Sequence, residues 1–275
     1  MLFFLAMIIL YIGKLNTESR SLSGSGKVNH NCIKPNKIEN YMITIFCSSV
    51  FVLTFVFPFF QLLVWSSQSF KNNIPVDLFF NSFLIGLIVA LAASFIALIL
   101  SLGNFKSLNR IIFNFSTIGY AIPGSVLAVS LLLVFDFYFD LSITVFGIWG
   151  LVLCLLIRFI TPLIRYLDAG LSNISDGTLS ATKIYSKSLF KTFKNIYFPY
   201  LYPSLLLGFL VVFIEVIKEQ PATLLLRPVG FETLSSRIYN FTSEGQWELA
   251  ANPSIAIILL SLILVLVLNN RVDSE

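Results

Sequence analysis

Glu215, Lys218 and Glu219 close a long apolar run, and Pro221 and Thr223 follow at once. Spacings of three and four place the three charged residues on one helical face, where both acids can compensate the lysine. Pro221 has no backbone N–H to donate, so the helix is expected to break or kink near Gln220. Irregular backbone at membrane depth is tolerated where it is buried in protein or lines a wet cavity. Ionisable groups at such a place mark a pathway or an internal ion pair. Glu215, Lys218, Glu219, Pro221 and Thr223 are therefore a candidate translocation path. The competing reading is a boundary cluster at headgroup level. Further along, Arg227, Glu232 and Arg237 belong to a re-entrant or surface segment with a short helix at Glu232–Asn240.

Other arrangements with chemical potential fail on spacing. Gly24-Ser25-Gly26-Lys27 resembles part of a phosphate-binding loop, which needs a glycine five residues before Gly26 and a hydroxyl after the lysine. Those places hold Ser21 and Val28, so Ser19–Asn31 reads as a polar linker that binds no ATP. His30 is the single histidine, and Cys32, Cys47 and Cys154 lack metal-site spacing. The sequence offers no catalytic residues and no metal ligands, and side-chain catalysis is not its expected role.

The elements that must position these residues are membrane helices. Hydrophobic residues make up 57% of the 275-residue chain and charged ones 12%, with mean hydropathy +0.87. A helix crosses a hydrocarbon core of about 30 Å with roughly 20 apolar residues. Tyr41–Trp65, Leu78–Leu102, Ile111–Phe135 and Leu249–Asn270 reach that length, and Leu141–Ile157 and Asn195–Ile214 do so with their flanking turns. Strict alternation, the mark of a barrel, is missing. The expected fold is an all-α polytopic helical bundle with six spans. Met1–Ile12 reads as the tail of a further helix, part of a missing first half, and residues 13–40 as a cytoplasmic linker.

Placing that linker inside and alternating the spans puts fourteen of the 18 lysines and arginines in the cytoplasm, Arg158 and Arg165 among them. The C-terminus and the polar stretch 176–203 then also face the cytoplasm. In that stretch Leu189, Phe190, Phe193, Ile196 and Tyr197 recur at helical spacing, opposite Lys187, Lys191 and Lys194. The pattern is an amphipathic helix that lies on lipid or inserts into a partner protein. In the third run, Gly119-Tyr120-Ala121-Ile122-Pro123-Gly124-Ser125 gathers small residues around a proline, which suits a bent, closely packed span.

A cytoplasmic loop between the fourth and fifth core spans resembles the signature loop of ABC importer permeases that work with a binding protein. That loop opens Glu-Ala-Ala, carries a glycine four residues on, and ends in a hydrophobic–proline step. Here the places hold Ser180-Ala181-Thr182, Ser186 and Phe198-Pro199, so the alanine, spacing and proline are kept while the glutamate and glycine are replaced. Ser188 stands where such loops cap their second helix. A narrower resemblance, to iron(III) importer permeases, covers nearly the whole chain. It rests on Thr117–Gly124, Arg158-Phe159, the block from Glu215 through Glu219-Gln220-Pro221-Ala222-Thr223 to Pro228, Gly230–Leu234, Tyr239 and Ser243–Glu248. Members of that family are typically two fused homologous halves, and this sequence is similar to the second.

The resemblance implies a type I ABC importer permease core of six transmembrane helices over residues 41–275, with a coupling loop at 164–203. It implies an ATPase coupling set of Ser180, Ala181, Thr182, Ser186, Phe190, Phe193 and Pro199, with Phe190 and Phe193 as buried knobs. Implied partners are a cytoplasmic ABC ATPase dimer, a second permease half (a homologous chain or a second copy), an extracytoplasmic substrate-binding protein and membrane lipid, with no nucleic acid. ATP would bind the ATPase, and this chain would carry no cofactor. The location is the inner membrane, multi-pass. Alternatives are a permease of the same superfamily for thiamine, a polyamine or an inorganic anion, an ion-driven secondary transporter, and a non-transporting scaffold. A secondary transporter would carry charges at mid-span, whereas the core spans read as uncharged at their centres.

Overall fold

The computed structural model describes residues 36–69, 76–102, 118–139, 143–172, 174 and 193–272. All regular structure among them is helical. The chain divides into two compact units, one ending at Val64 and one starting at Trp65.

In the first unit, α1 spans Lys37–Phe51 and passes through a five-residue π-turn, Val52–Val56, into α2, Phe57–Gln68, whose residues from Trp65 on belong to the second unit. Glu39 Oε2 accepts from the Asn36 backbone N–H at 2.9 Å and closes the start of α1. Lys37–Asn40, assigned to the linker by sequence, is thus helical. The π-turn has a local cause. Pro58 donates no hydrogen bond and its ring crowds the carbonyl four residues back, so the preceding turn widens. The same device recurs at Phe193–Tyr197, another five-residue π-turn, ahead of Pro199. Both sit just before a Phe-Pro step. Phe51, Phe55 and Phe59 stack along one edge of the first unit at 5.5 and 5.9 Å between centroids.

The second unit is built on α3 (Val76–Leu102), α5 (Ile143–Ser172) and α6 (Phe198–Lys218), which pack on one another. Around them lie α4 (Gly124–Phe139), α7 (Pro221–Leu226), α8 (Leu234–Ser243) and α9 (Trp247–Val272). Ala90, Ala93 and Ala97 form a fully buried seam on α3, where short side chains let helices approach closely. Two glycines serve the same end. Gly86 of α3 meets the Phe213 ring, and Gly208 of α6 meets Leu163 of α5. Within the same unit, Ser66 and Ser69, at the end of α2, bond α9. Ser66 Oγ donates to Asn252 Oδ1 at 2.6 Å, and Ser69 Oγ donates to the Glu248 carbonyl at 3.0 Å.

Five helical stretches among the described residues are long and apolar enough to cross a membrane: Lys37–Gln68, Val76–Ser101, Phe146–Ser172, Phe198–Lys218 and Trp247–Leu266. The sixth expected span, Ile111–Phe135, is interrupted at Ile122–Pro123, and its described helix α4 has 16 residues. A second boundary also differs. The run counted to Ile157 is the first half of a 30-residue helix, so residues 164–172 continue α5 and do not belong to a loop. Arg158 is the sixteenth residue of that helix. It was assigned to a cytoplasmic flank because a charge ended the run, yet Phe159-Ile160-Thr161-Pro162-Leu163-Ile164 resumes the apolar pattern directly. Arg165 lies in the last third of the same helix. Contrary to expectation, a helix long enough to span thus carries a charge near its middle.

Candidate functional site: a helix break closed by an ion pair

The break expected near Gln220 is present. α6 ends at Lys218, Glu219 takes an extended conformation (φ −70°, ψ 116°), and α7 restarts with Pro221 at its first position. Leaving the helix at Glu219 turns that side chain off the α6 surface. The expectation that Glu215 and Glu219 jointly compensate Lys218 is thereby corrected. Among the described residues, Lys218 Nζ pairs only with Glu215 Oε1, at 2.8 Å, and that pair is half-exposed. Glu219 is 7% exposed and receives Arg158 Nη1 of α5 at 3.1 Å.

Glu219 is bound through both side chain and backbone. Its Oε1 accepts from the Ala222 N–H at 3.4 Å, in the first turn of α7. Its carbonyl accepts from Thr223 Oγ1 at 2.8 Å and from Ser235 Oγ at 3.0 Å. Thr223 and Ser235 are buried. The Glu219 carbonyl is thus met by hydroxyls from α7 and α8, and the Ala222 N–H by the Glu219 carboxylate, the kind of replacement bonding that interrupted membrane helices need. α8 is in turn held by α3. Ser82 Oγ accepts from the Leu234 N–H at 2.8 Å, and Asn81 Nδ2 donates to the Glu232 carbonyl at 3.0 Å. Thr233 and Ser236 complete a reciprocal cap.

The small-residue motif of the third run has its explanation here. A Cβ on Gly119 would lie 2.7 Å from the Ile157 carbonyl oxygen, and one on Gly124 would collide with both Arg158 Nη1 and Glu219 Oε1. The glycines on either side of Pro123 thus let two segments of backbone reach α5 at Ile157 and Arg158. Tyr120 packs edge-to-face on Phe159 at 6.4 Å. One donor of the Arg158 guanidinium, Nε, is buried and has no hydrogen-bond partner among the described residues.

A second charged cluster follows the break. Glu232 accepts from Arg227 Nη1 at 3.3 Å, Arg237 Nη1 at 3.1 Å and Asn240 Nδ2 at 3.1 Å. It borders an open cavity of about 620 Å³ lined also by Asp77, Asn81 and Gly230. The helix expected at Glu232–Asn240 runs instead from Leu234 to Ser243, because Thr233 caps it. Glu232→Gln is expected to lower stability by about 1–2 kcal/mol, the scale of partly solvated charged hydrogen bonds. Faster hydrogen exchange over residues 227–240 with unchanged exchange in α5 and α6 would show that loss.

Of the path residues named from sequence, the structure gathers Glu219, Pro221 and Thr223 at the break and leaves Glu215 and Lys218 on the surface. Of the coupling residues, Ser180, Ala181, Thr182, Ser186 and Phe190 lie outside the described residues, as does Met1–Ile12. Phe193 packs edge-to-face on Phe198 at 6.0 Å, and Pro199 is exposed in the first turn of α6. Sequence reasoning missed Arg158, Gly124 and Ser235 as parts of one site. Arg158-Phe159 and Gly124 stood in blocks of recognisable pattern, but nothing local joined them to Glu219.

The chain is 27% identical over 253 residues to the Fe(3+)-transport system permease protein FbpB 2 of Haemophilus influenzae, an alignment covering 87% of this chain and 49% of that protein. It therefore spans about half the length of this curated relative. Its fold is similar to a bacterial alginate ABC transporter crystallised with a pentasaccharide-bound periplasmic protein, with TM-score 0.60, 14% identity, and 85% and 93% of the two chains covered. A bacterial ABC transporter involved in import of the acidic polysaccharide alginate gives TM-score 0.58, 14% identity, and coverage of 85% and 94%. The family described as binding-protein-dependent transport system inner membrane component matches residues 91–273, which takes in the Gly119–Gly124 motif, Arg158 and the break at Glu219. The chain belongs to that family, and it is a multi-pass inner-membrane transport component, not an enzyme.

Proposed function

We propose that this chain is a permease half of an ATP-driven importer for ferric iron. A binding protein delivers cargo to the outer face, an ATPase dimer binds the cytoplasmic segment Ser180–Pro199, and a second permease half completes the pathway. The C-terminus lies in the cytoplasm. The observation that carries the cargo is the 27% identity to an Fe(3+) permease across 87% of the chain. Membership of a binding-protein-dependent family supports the rest, and it disfavours an ion-driven carrier even though Arg158 gives α5 a mid-span charge. Alternating access requires that ATP closure favour one state over the other by a few kcal/mol.

Proteoliposomes holding the chain with its ATPase and second half should accumulate ferric iron when binding protein and ATP are both present. ATP-dependent accumulation of thiamine, a polyamine or an inorganic anion, with none of iron, would overturn the cargo.

Phe190 and Phe193 are proposed as apolar knobs of the ATPase contact. Phe190→Glu or Phe193→Glu should reduce binding-protein-stimulated ATP hydrolysis at least about tenfold, as for anchors at an interface centre, with membrane insertion intact. Unchanged stimulation in both would return Phe193 to its intramolecular contact with Phe198 alone.

A further inference from the structure

Three helices meet at the Arg158–Glu219 pair, and they differ in kind. α5 is continuous for 30 residues, and Arg158 lies at its middle. The other two elements are interrupted where they touch it. α4 begins at Gly124, directly after the Ile122–Pro123 break, and α7 begins directly after the Glu219–Gln220 break. A continuous helix carries displacement along its axis. At the two-residue gaps the helical ladder is thinned but not absent: the Ile122 N–H bonds the Ile118 carbonyl, and the Pro123 and Gln220 carbonyls accept from Leu127 and Leu224, so a change of dihedrals there breaks fewer bonds than in mid-helix.

α5 ends at Ser172, shortly before the proposed ATPase-binding segment Ser180–Pro199. The fifteen residues Arg158–Ser172 rise about 21 Å at 1.5 Å per residue, and Pro162 inside the run removes the hydrogen bond to the Arg158 carbonyl, so this helix can bend one turn from the pair. Arg158 is the position on α5 that grips the gap. Its guanidinium meets Glu219 at 3.1 Å, and Gly124 closes the remaining side so tightly that a methyl group would strike both partners. In low dielectric such a contact is strong when made and costly when separated without replacement, so it favours two arrangements over a graded series. The buried, unpartnered Nε leaves a donor ready for a new acceptor in the second arrangement.

We propose that the Arg158–Glu219 pair, seated on Gly124, is the joint through which displacement of α5 opens and closes the helix break at Glu219–Gln220. Arg158 is then a positioning residue for transport. The surface pair Glu215–Lys218, one turn away, has no such duty. This inference rests on the importer reading above and adds how motion reaches the path.

The test uses the complete complex in proteoliposomes with ferric iron and binding protein, reading iron uptake and phosphate release together. Glu219→Gln, Arg158→Gln and Gly124→Ala should each lower iron carried per ATP hydrolysed by about tenfold, a typical site-to-site coupling. Hydrolysis without binding protein should rise in the same variants. Arg158→Lys, which keeps the charge, should restore most of the ratio, and Glu215→Gln should leave it unchanged. Wild-type ratios in the assembled Glu219, Arg158 and Gly124 variants would overturn the joint. So would an equal fall of uptake and hydrolysis in all three, which marks a structural role. Should the glutamine variants fail to assemble, Gly124→Ala decides between the same outcomes, with Arg158→Lys as the assembled control. Absence of binding-protein-stimulated hydrolysis in the wild-type complex would instead overturn the importer reading, and the joint with it.

Discussion

Arg158→Met should destabilise the detergent-solubilised chain by about 3–5 kcal/mol, the cost of leaving a buried partner charge uncompensated. Glu219 cannot recover solvation by rotating outward. It is 7% exposed, and its carbonyl and carboxylate are tied to Thr223, Ser235 and Ala222. The double replacement Arg158→Met with Glu219→Leu should return to within about 1–2 kcal/mol of the parent, because buried ion pairs are commonly matched by apolar groups of similar volume. Transport should stay lost in that double variant, since the pair is proposed as a joint and not as a source of stability. Equilibrium unfolding in mixed micelles reads the first effect and iron uptake the second. A single-variant loss below about 1 kcal/mol, the range of solvated pairs, would contradict the burial of this site.

Phe213→Ala should cost about 3 kcal/mol. The ring is 4% exposed, packs edge-to-face on Phe83 at 5.3 Å and stacks with Phe209 at 6.3 Å. The figure stands at the low end for buried Phe→Ala changes, because lipid is as apolar as the core and the transfer contribution largely drops out. What is lost is packing against Gly86, whose missing side chain cannot move in to fill the gap. Phe83→Ala, at a ring 44% exposed, should stay within about 1 kcal/mol. Equal losses in the two variants would mean that the α3–α6 contact does not depend on Phe213.

The helix break was legible in the sequence because its cause is local: Pro221 has no N–H, and no tertiary partner alters that. The π-turn before Pro58 has an equally local cause. Spans at 41–65, 78–102 and 249–270 were legible for a similar reason, since an uncharged run of that length has few other uses. Arg158 was misplaced because run-counting treats any charge as an end, whereas a charge with a partner is tolerated at mid-span. That partner is 61 residues away, beyond the reach of helical periodicity. Glu219 was put on the Lys218 face by assuming the helix continued through it. One extended residue sends its side chain to α5 instead. The glycines at 119 and 124 were read as close-packing residues, which holds, but what they pack against was not available from spacing.

Whether this chain works with an ATPase is decided most directly by what it carries through purification. The chain should be tagged in its native host, extracted in mild detergent, and its co-purifying proteins identified, with ATP hydrolysis assayed on the same preparation. An ABC ATPase together with a second permease half, and hydrolysis stimulated by a loaded binding protein, is the predicted result. A folded preparation that recovers neither partner and shows no hydrolysis would contradict it.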